Sequence, residues 1–396
     1  DEPFASYFSG NTVQICPVGA LTAKPYRFKA RPWDLSQQET TCTTCAVGCR
    51  TVVQSSRDEV LRYMGVDSDP VNHGWLCDRG RFNFEAVKSE HRVLQPLVRE
   101  GDELLPASWN TALAAAAALI TEAKAAGGVA GIAVIGGARG TNEDAFAWAR
   151  VGHEVIGTPN VYSQMGDGLP VGLLGLDRAT IDEAANATTI VLLGPDLKEE
   201  LPVLYLRLRD AAAKQRSRII ELTPKHTGLT RNAWRSIGYE PGTQVAAVQG
   251  ALADGAIAAQ LAKGNVVIVA GRANLTESSA ATIAALHTLL AAVPGAKVLP
   301  AFRRGNVVGA LQVGVRPGKG GLDTRGALQA AADGKIECLV LLGADPLADF
   351  PDTDLARRAL AGARRIIAVD TFLTQSSQRA DVVLADTAGR LHTKTN

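Results

Sequence analysis

The chain has 396 residues, 46% of them hydrophobic and 20% charged, with 41 Lys and Arg against 40 Asp and Glu for a net charge of +1. That length and apolar content suit two to four globular domains with cores of ordinary size. The even charge balance gives no reason to expect a nucleic-acid partner, and no apolar run approaches the ~18 residues of a membrane-spanning helix.

The opening Asp1-Glu-Pro-Phe4 carries neither a basic nor an apolar stretch, so it does not read as a signal peptide. A chain that begins this way is expected to be an internal piece of a longer protein. Residues 1–35 are mixed and proline-punctuated, with a Cys16-Pro17 step. Residues 36–95 hold a cysteine cluster, little helical periodicity, and short strand candidates at 51–54 and 60–64, and read as a small, loop-rich metal domain.

Beyond this the texture changes to Ala-rich helices alternating with short β-branched runs. A helix is predicted over 108–125 with Ser108 as N-cap, then a strand at 131–135 and a Gly-rich loop at 136–140. A further helix follows Thr141, where Thr-Asn-Glu-Asp resembles a capping box. Strands are predicted at 189–193, 218–222, 266–270, 338–342, 365–369 and 381–384, and helices at 199–214, 243–262, 276–293 and 352–362. Alternation of this kind implies a mostly parallel, doubly wound α/β body. It is expected as a first α/β domain over 96–240 and a second over 241–396.

The body also echoes itself. Val191-Leu-Leu-Gly-Pro-Asp196 matches Val340-Leu-Leu-Gly-Ala-Asp345, and each precedes a helix and then an Arg-Ile-Ile strand, at Arg218 and at Arg365. This suggests a pseudo-duplication; the alternative is ordinary convergence of strand–Gly–helix–strand units.

Of the six cysteines, five lie in the first fifth of the chain: Cys16, Cys42, Cys45, Cys49 and Cys77. Clustered thiols in a large α/β chain read as metal ligands in a reducing compartment, the cytoplasm, rather than as a disulfide framework. Cys42 and Cys45 form a C-x2-C pair, Cys49 follows closely, and the distant Cys77 would pin a second segment to the same centre. A four-thiolate zinc site is the main rival, though such sites usually pair two C-x2-C knuckles. The absence of a spaced His favours a 4Fe–4S centre over a Rieske type. Gly48 stands where a loop around a cluster needs unusual backbone angles. Asp78-Arg-Gly-Arg81 places two cations beside it. Cys16, followed by Pro, reads either as the last cysteine of a ferredoxin-like run whose partners lie upstream or as a plain buried thiol. Cys338, inside an apolar run, reads as a buried hydrophobe. The 136–140 and 314–321 glycine-rich stretches spell neither the dinucleotide fingerprint nor a Walker loop and read as turns. His153 reads as a structural helix residue.

The set Cys42-x2-Cys45-x3-Cys49-x27-Cys77, followed by Asp-Arg-Gly-Arg-Phe, resembles the iron–sulfur domain of the molybdopterin oxidoreductase superfamily. Phe8-Ser-Gly-Asn-Thr-Val-Gln-Ile-Cys-Pro-Val-Gly-Ala-Leu21 and Tyr26-Arg-Phe-Lys-Ala-Arg-Pro-Trp-Asp34 are similar to one branch of that superfamily, found in bacterial NADH–quinone oxidoreductase, respiratory complex I. Gly157-Thr-Pro-Asn-Val161, Pro241-Gly-Thr243 and Ala380-Asp-Val-Val-Leu384 resemble superfamily landmarks.

The resemblance implies that Cys42, Cys45, Cys49 and Cys77 bind a 4Fe–4S cluster off the main electron path, and that Cys16 is the fourth ligand of a second 4Fe–4S cluster on it. It implies one-electron transfer from NADH towards quinone within a proton-translocating enzyme, with no catalytic residue on this chain. The implied partners are other peripheral-arm subunits, and the implied place is the cytoplasmic side of the bacterial inner membrane, reached only through the assembled complex. The segment 391–396 stops where the family continues.

Molybdopterin is expected to be absent. No cysteine lies between Cys77 and Cys338, Tyr162-Ser-Gln-Met-Gly-Asp-Gly168 follows the Gly-Thr-x-Asn-Val stretch, and Arg79 stands where molybdenum enzymes often place a Lys. Ser163 and Asp167 could stand in as metal ligands but read as loop residues. The rival functions are a molybdopterin-dependent catalytic subunit such as that of formate dehydrogenase, and a zinc-stapled interaction domain.

Overall fold

The computed structural model describes residues 6–67, 70–165, 169–272 and 277–386. Asp167, the opening tetrapeptide and the segment 391–396 lie outside them. In chain order the strands are β1 Ser36–Thr41, β2 Arg50–Ser56, β3 Glu59–Gly65, β4 Leu97–Glu100, β5 Glu103–Pro106, β6 Ile132–Gly136, β7 Asn160–Tyr162, β8 Thr189–Leu193, β9 Arg218–Thr223, β10 Arg235–Gly238, β11 Val266–Ala270, β12 Lys297–Pro300, β13 Cys338–Leu342, β14 Arg365–Asp370 and β15 Val382–Ala385. They belong to two compact units, Asp1–Phe84 with Leu169–Arg303, and Glu85–Gly168 with Arg304–Asn396.

The first unit holds two sheets. β1, β2 and β3 form an antiparallel meander. A five-stranded parallel sheet follows the order β10-β9-β8-β11-β12. Its central β8 and β11 are buried along their length and apolar but for Thr189, as strands covered by helices on each side must be. Two short helices complete the N-terminal part, α1 Ser9–Ile15 and α2 Asp78–Arg81.

Fully buried Asn72 locks the meander to the segment leading into α2. Its Oδ1 accepts from Arg50 N at 2.8 Å, while its Nδ2 donates to Arg50 O at 3.2 Å and Trp75 O at 3.0 Å. Asn72→Ala leaves three backbone groups without these partners, and the expected loss of stability is about 2–4 kcal/mol, read from the denaturant midpoint of unfolding.

The second unit is built on one seven-stranded sheet, β5-β4-β15-β14-β13-β6-β7, parallel from β15 to β7 with the β4–β5 hairpin antiparallel at one edge. The helix α3, Trp109–Gly127, starts at Ser108, whose hydroxyl accepts from Thr111 N. The helix α4, Asn142–Arg150, starts at the capping box of Thr141 and Asp144. Cys338 is wholly buried in β13, and His153 has its ring nitrogens 3.2 and 3.0 Å from the carbonyl oxygens of Thr158 and Gly314. The 136–140 stretch is a turn: Gly136 and Gly137 have φ of 111° and 96°.

The sequence echo is a topological one. β8 and β13 each lie where the strand order reverses, with β9 or β14 on one side and β11 or β6 on the other. After each, a glycine in the left-handed region donates its N–H to the neighbouring strand, Gly194 to Leu222 O at 3.0 Å and Gly343 to Val369 O at 2.8 Å. The fold is thus the expected α/β arrangement of parallel sheets with a small N-terminal domain.

The consecutive division at 240/241 differs from what the chain does. That point falls within the five-stranded sheet, where β8 and β11 are hydrogen-bonded neighbours, and β6 lies beside β13 across more than 200 residues. Crossover connections return the chain to a sheet it had left, and local periodicity carries no record of that return. Two long predicted helices are each broken in two: at Leu201, before the helix of Pro202–Ala213, and at Asp254, whose carboxylate caps the helix of Gly255–Leu261.

Candidate metal centre

β1 and β2 are joined by the loop that carries Cys42, Cys45 and Cys49. Its base is closed by Cys42 N donating to Cys49 O at 2.8 Å, and Gly48, at φ 64°, turns the chain back with its N–H on Cys45 O. Cys77 is the N-cap of α2, and its sulfur accepts from Gly80 N at 3.4 Å. The two segments meet over Gly80. A Cβ there would lie 2.9 Å from Cys42 Sγ and 3.7 Å from Cys77 Sγ, so the site uses the missing side chain as room for sulfur. Thr44 Oγ1 sits 3.3 Å from Cys42 Sγ. Cys45 and Cys49 form the inner wall, packed in the apolar cluster of Leu76, Leu201 and Tyr205.

Burial dominates the electrostatics. It pushes the Cys45 thiol up to about 12, Cys49 well above its usual value, and Cys77 upward. The neighbouring thiols push in the same direction, Cys42 first among them for Cys45 and Cys49. Three buried thiols that resist ionising, with Cys42 beside them, are a donor set that a cationic centre would compensate. Among the described residues no three His, Cys, Asp or Glu side chains close about one point as the ligands of a single ion do.

Gly80→Ala tests this packing. The added methyl group is expected to lower iron content per chain and to cost about 1–3 kcal/mol as overpacking, read by metal analysis and thermal unfolding.

The two cations of Asp78-Arg-Gly-Arg81 part company. Arg79 is exposed and donates to Glu200 O at 3.1 Å, whereas Arg81 is buried and reaches toward α1. α1 is tied to α2 by Asp78, which accepts from Ser9 Oγ and from Gly10 N at 2.8 Å. Asn11 adds a reciprocal pair of bonds with the backbone of Leu76.

At the other end of α1 Cys16 is the half-buried C-cap residue, apart from the four-thiol site. The backbone N–H groups of Leu21 and Val18, then Ala20 and Gly19, face its sulfur and hold its thiol below the ordinary range. Donors aimed at a sulfur favour the thiolate that ligates metal. Sequence reasoning did not find Gly80, Asn11 or Asn72; only the glycine between two arginines after Cys77 offered a signal.

After β7 comes Ser163, buried, with its N–H on Val315 O. At the ends of β6 and β13, Arg139 and Arg304 meet on the carboxylate of Asp349 at 2.9 and 2.7 Å.

An α/β body with strand-order reversals in both units and a small four-thiol domain defines the class. Residues 92–388 match the molybdopterin oxidoreductase family and residues 36–89 its Fe4S4 domain, and the chain belongs to that family. It is similar to the G subunit of NADH-quinone oxidoreductase from Mycobacterium bovis, at 35% identity over 97% of this chain and 51% of the relative. It is also similar to the alpha subunit of NADPH-Fe(3+) oxidoreductase from Geobacter sulfurreducens, at 27% identity over 96% and 54%. The chain therefore spans about half the length of these curated relatives. Acetylene hydratase from Pelobacter acetylenicus shares the fold, with a TM-score of 0.59 at 14% identity over 88% of this chain and 62% of the hydratase.

Proposed function

We propose that this chain is an electron-transfer and scaffold part of NADH–quinone oxidoreductase, complex I. Cys42, Cys45, Cys49 and Cys77 hold a 4Fe–4S cluster, and Cys16 supplies one ligand to a second. The observation that carries the reading is the meeting of the Cys42–Cys49 loop with Cys77 over Gly80, where a Cβ would lie 2.9 Å from Cys42 Sγ and 3.7 Å from Cys77 Sγ, with Cys45 and Cys49 buried in the same loop.

A bound cluster supplies one-electron redox capacity; the chain supplies ligation, exclusion of water and hydrogen bonds to sulfur. No side chain need move a proton, and no pterin is bound. The partners are other peripheral-arm subunits, on the cytoplasmic side of the bacterial inner membrane. An exposed apolar band around Cys16, with Ile15, Val18, Phe28 and Trp33, suits cover by another polypeptide segment. No helix among the described residues is long and apolar enough to cross a membrane.

The test is iron, acid-labile sulfide, zinc and molybdenum analysis of the full-length protein, with EPR after reduction. Iron and sulfide in equal amounts with reduced-cluster signals are expected. Stoichiometric molybdenum would replace this reading with that of a molybdopterin-dependent catalytic subunit, and zinc without a cluster signal would replace it with a stapled interaction domain.

A further inference from the structure

A cavity of about 520 Å³ lies beside α1 in the first unit. Cys16 lines it together with Arg31, Arg62 and Arg81, and among the described residues its lining contains no Asp or Glu. Three cations and no anion in the wall that also carries the Cys16 sulfur make a seat for a negatively charged group, which an iron–sulfur centre with thiolate ligands is.

Arg81 is the fixed member of this set. It is 5% exposed, and its guanidinium is held by neutral acceptors, Gln14 Oε1 at 2.8 Å and Asn11 Oδ1 at 2.7 Å. Both acceptors belong to α1, whose C-cap is Cys16. The nearest carboxylate, Asp78, stands 4.0 Å from Arg81 Nε and already accepts from Ser9 and Gly10. The charge is therefore immobilised without being tightly paired. Gly10 makes room for it, since a Cβ at that position would run into Arg81 Cδ. Arg62, half-buried, donates to Gln54 Oε1 and lies over the Tyr26 ring at 4.0 Å. Arg79, although two residues from Arg81, is exposed, bonds Glu200 O and does not line the cavity.

We propose that Arg81 is a positioning residue for the Cys16 centre, its fixed positive charge raising the reduction potential of the cluster that Cys16 ligates. A buried cation favours the more negative, reduced form of a nearby cluster, and the low local dielectric keeps the effect from being screened away. The inference rests on Cys16 being a ligand.

The experiment is an EPR-monitored redox titration of the full-length, cluster-loaded protein. Cys16→Ser assigns the signal that belongs to the Cys16 centre. In Arg81→Gln that signal is expected at a lower midpoint, with roughly a tenfold drop in the reduced-to-oxidised ratio at fixed potential, equivalent to about 59 mV for one electron. Arg81→Lys is expected to keep the wild-type midpoint, as is Arg79→Gln. An Arg81→Gln protein that retains the signal at the wild-type midpoint overturns the proposal, and so do equal shifts in Arg81→Gln and Arg79→Gln. Should Arg81→Gln accumulate without the signal, Arg62→Gln decides. A smaller shift in the same direction supports the cationic seat, and an unmoved midpoint overturns it. A Cys16→Ser protein with every cluster signal intact refutes the ligand reading beneath the proposal, an outcome distinct from a failure of Arg81.

Discussion

Cys16→Ser in the full-length protein is expected to remove one iron–sulfur signal and with it nearly all NADH-to-quinone electron flow, while leaving the 42–77 centre and the fold in place. The structural grounds are the isolation of Cys16 from the four-thiol site and its position at the surface end of α1. A serine hydroxyl fits the same loop of N–H donors, so the backbone loses nothing, but it is a poor ligand for cluster iron. EPR of the reduced protein and the quinone-reductase rate of the assembled complex read the result. An unchanged rate with one signal missing would take the Cys16 centre off the main route.

Cys45→Ser is expected to do the reverse, eliminating the 42–77 signal and costing stability while sparing much of the electron flow. Cys45 is in the apolar wall of the site, and without a cluster its neighbours are left as crowded, buried thiols. The thermal midpoint should fall by several degrees, since about 1 kcal/mol moves it by roughly 2–4 °C in a body of this size.

Cluster-free wild-type protein should add a pH dependence. Burial raises the Cys45 thiol from its ordinary value of 9.0 to about 12 in the folded chain. Between those values the unfolded chain has given up its proton and the folded chain has kept it, so stability present below pH 9 is lost as the pH climbs toward 12. Cluster-loaded protein, whose thiolates are already bound, should lack this slope. Urea midpoints across that range compare the two forms.

The meeting of the cysteine segments was legible because it is written in spacing. The C-x2-C-x3-C loop and the remote Cys77 meet as their pattern required, and the N-cap at Ser108 and the capping box at Thr141 opened their helices where expected. What spacing could not show was which residues hold the two segments together. Asn72 and Asn11 are ordinary polar letters in the sequence, and their importance arises only from backbone groups brought near them by folding. The parting of Arg79 from Arg81 was equally hidden, because a four-residue helix sends alternate side chains to opposite environments. The strand order escaped for a related reason. β6 and β13 are each plain buried apolar runs, and nothing in either names the other.

That last pairing has a consequence for synthesis. β6 is made about 200 residues before β13, the strand that flanks it on the reversal side. For that interval its hydrogen-bonding edge can be satisfied only by β7, and α3 can cover only part of its apolar face. Contacts of such long sequence separation slow folding and leave strand edges open to wrong partners. The nascent second unit is thus the stretch of this protein with most need of a chaperone, and the meander that carries the cysteine loop, whose strands pair as soon as they emerge, the stretch with least.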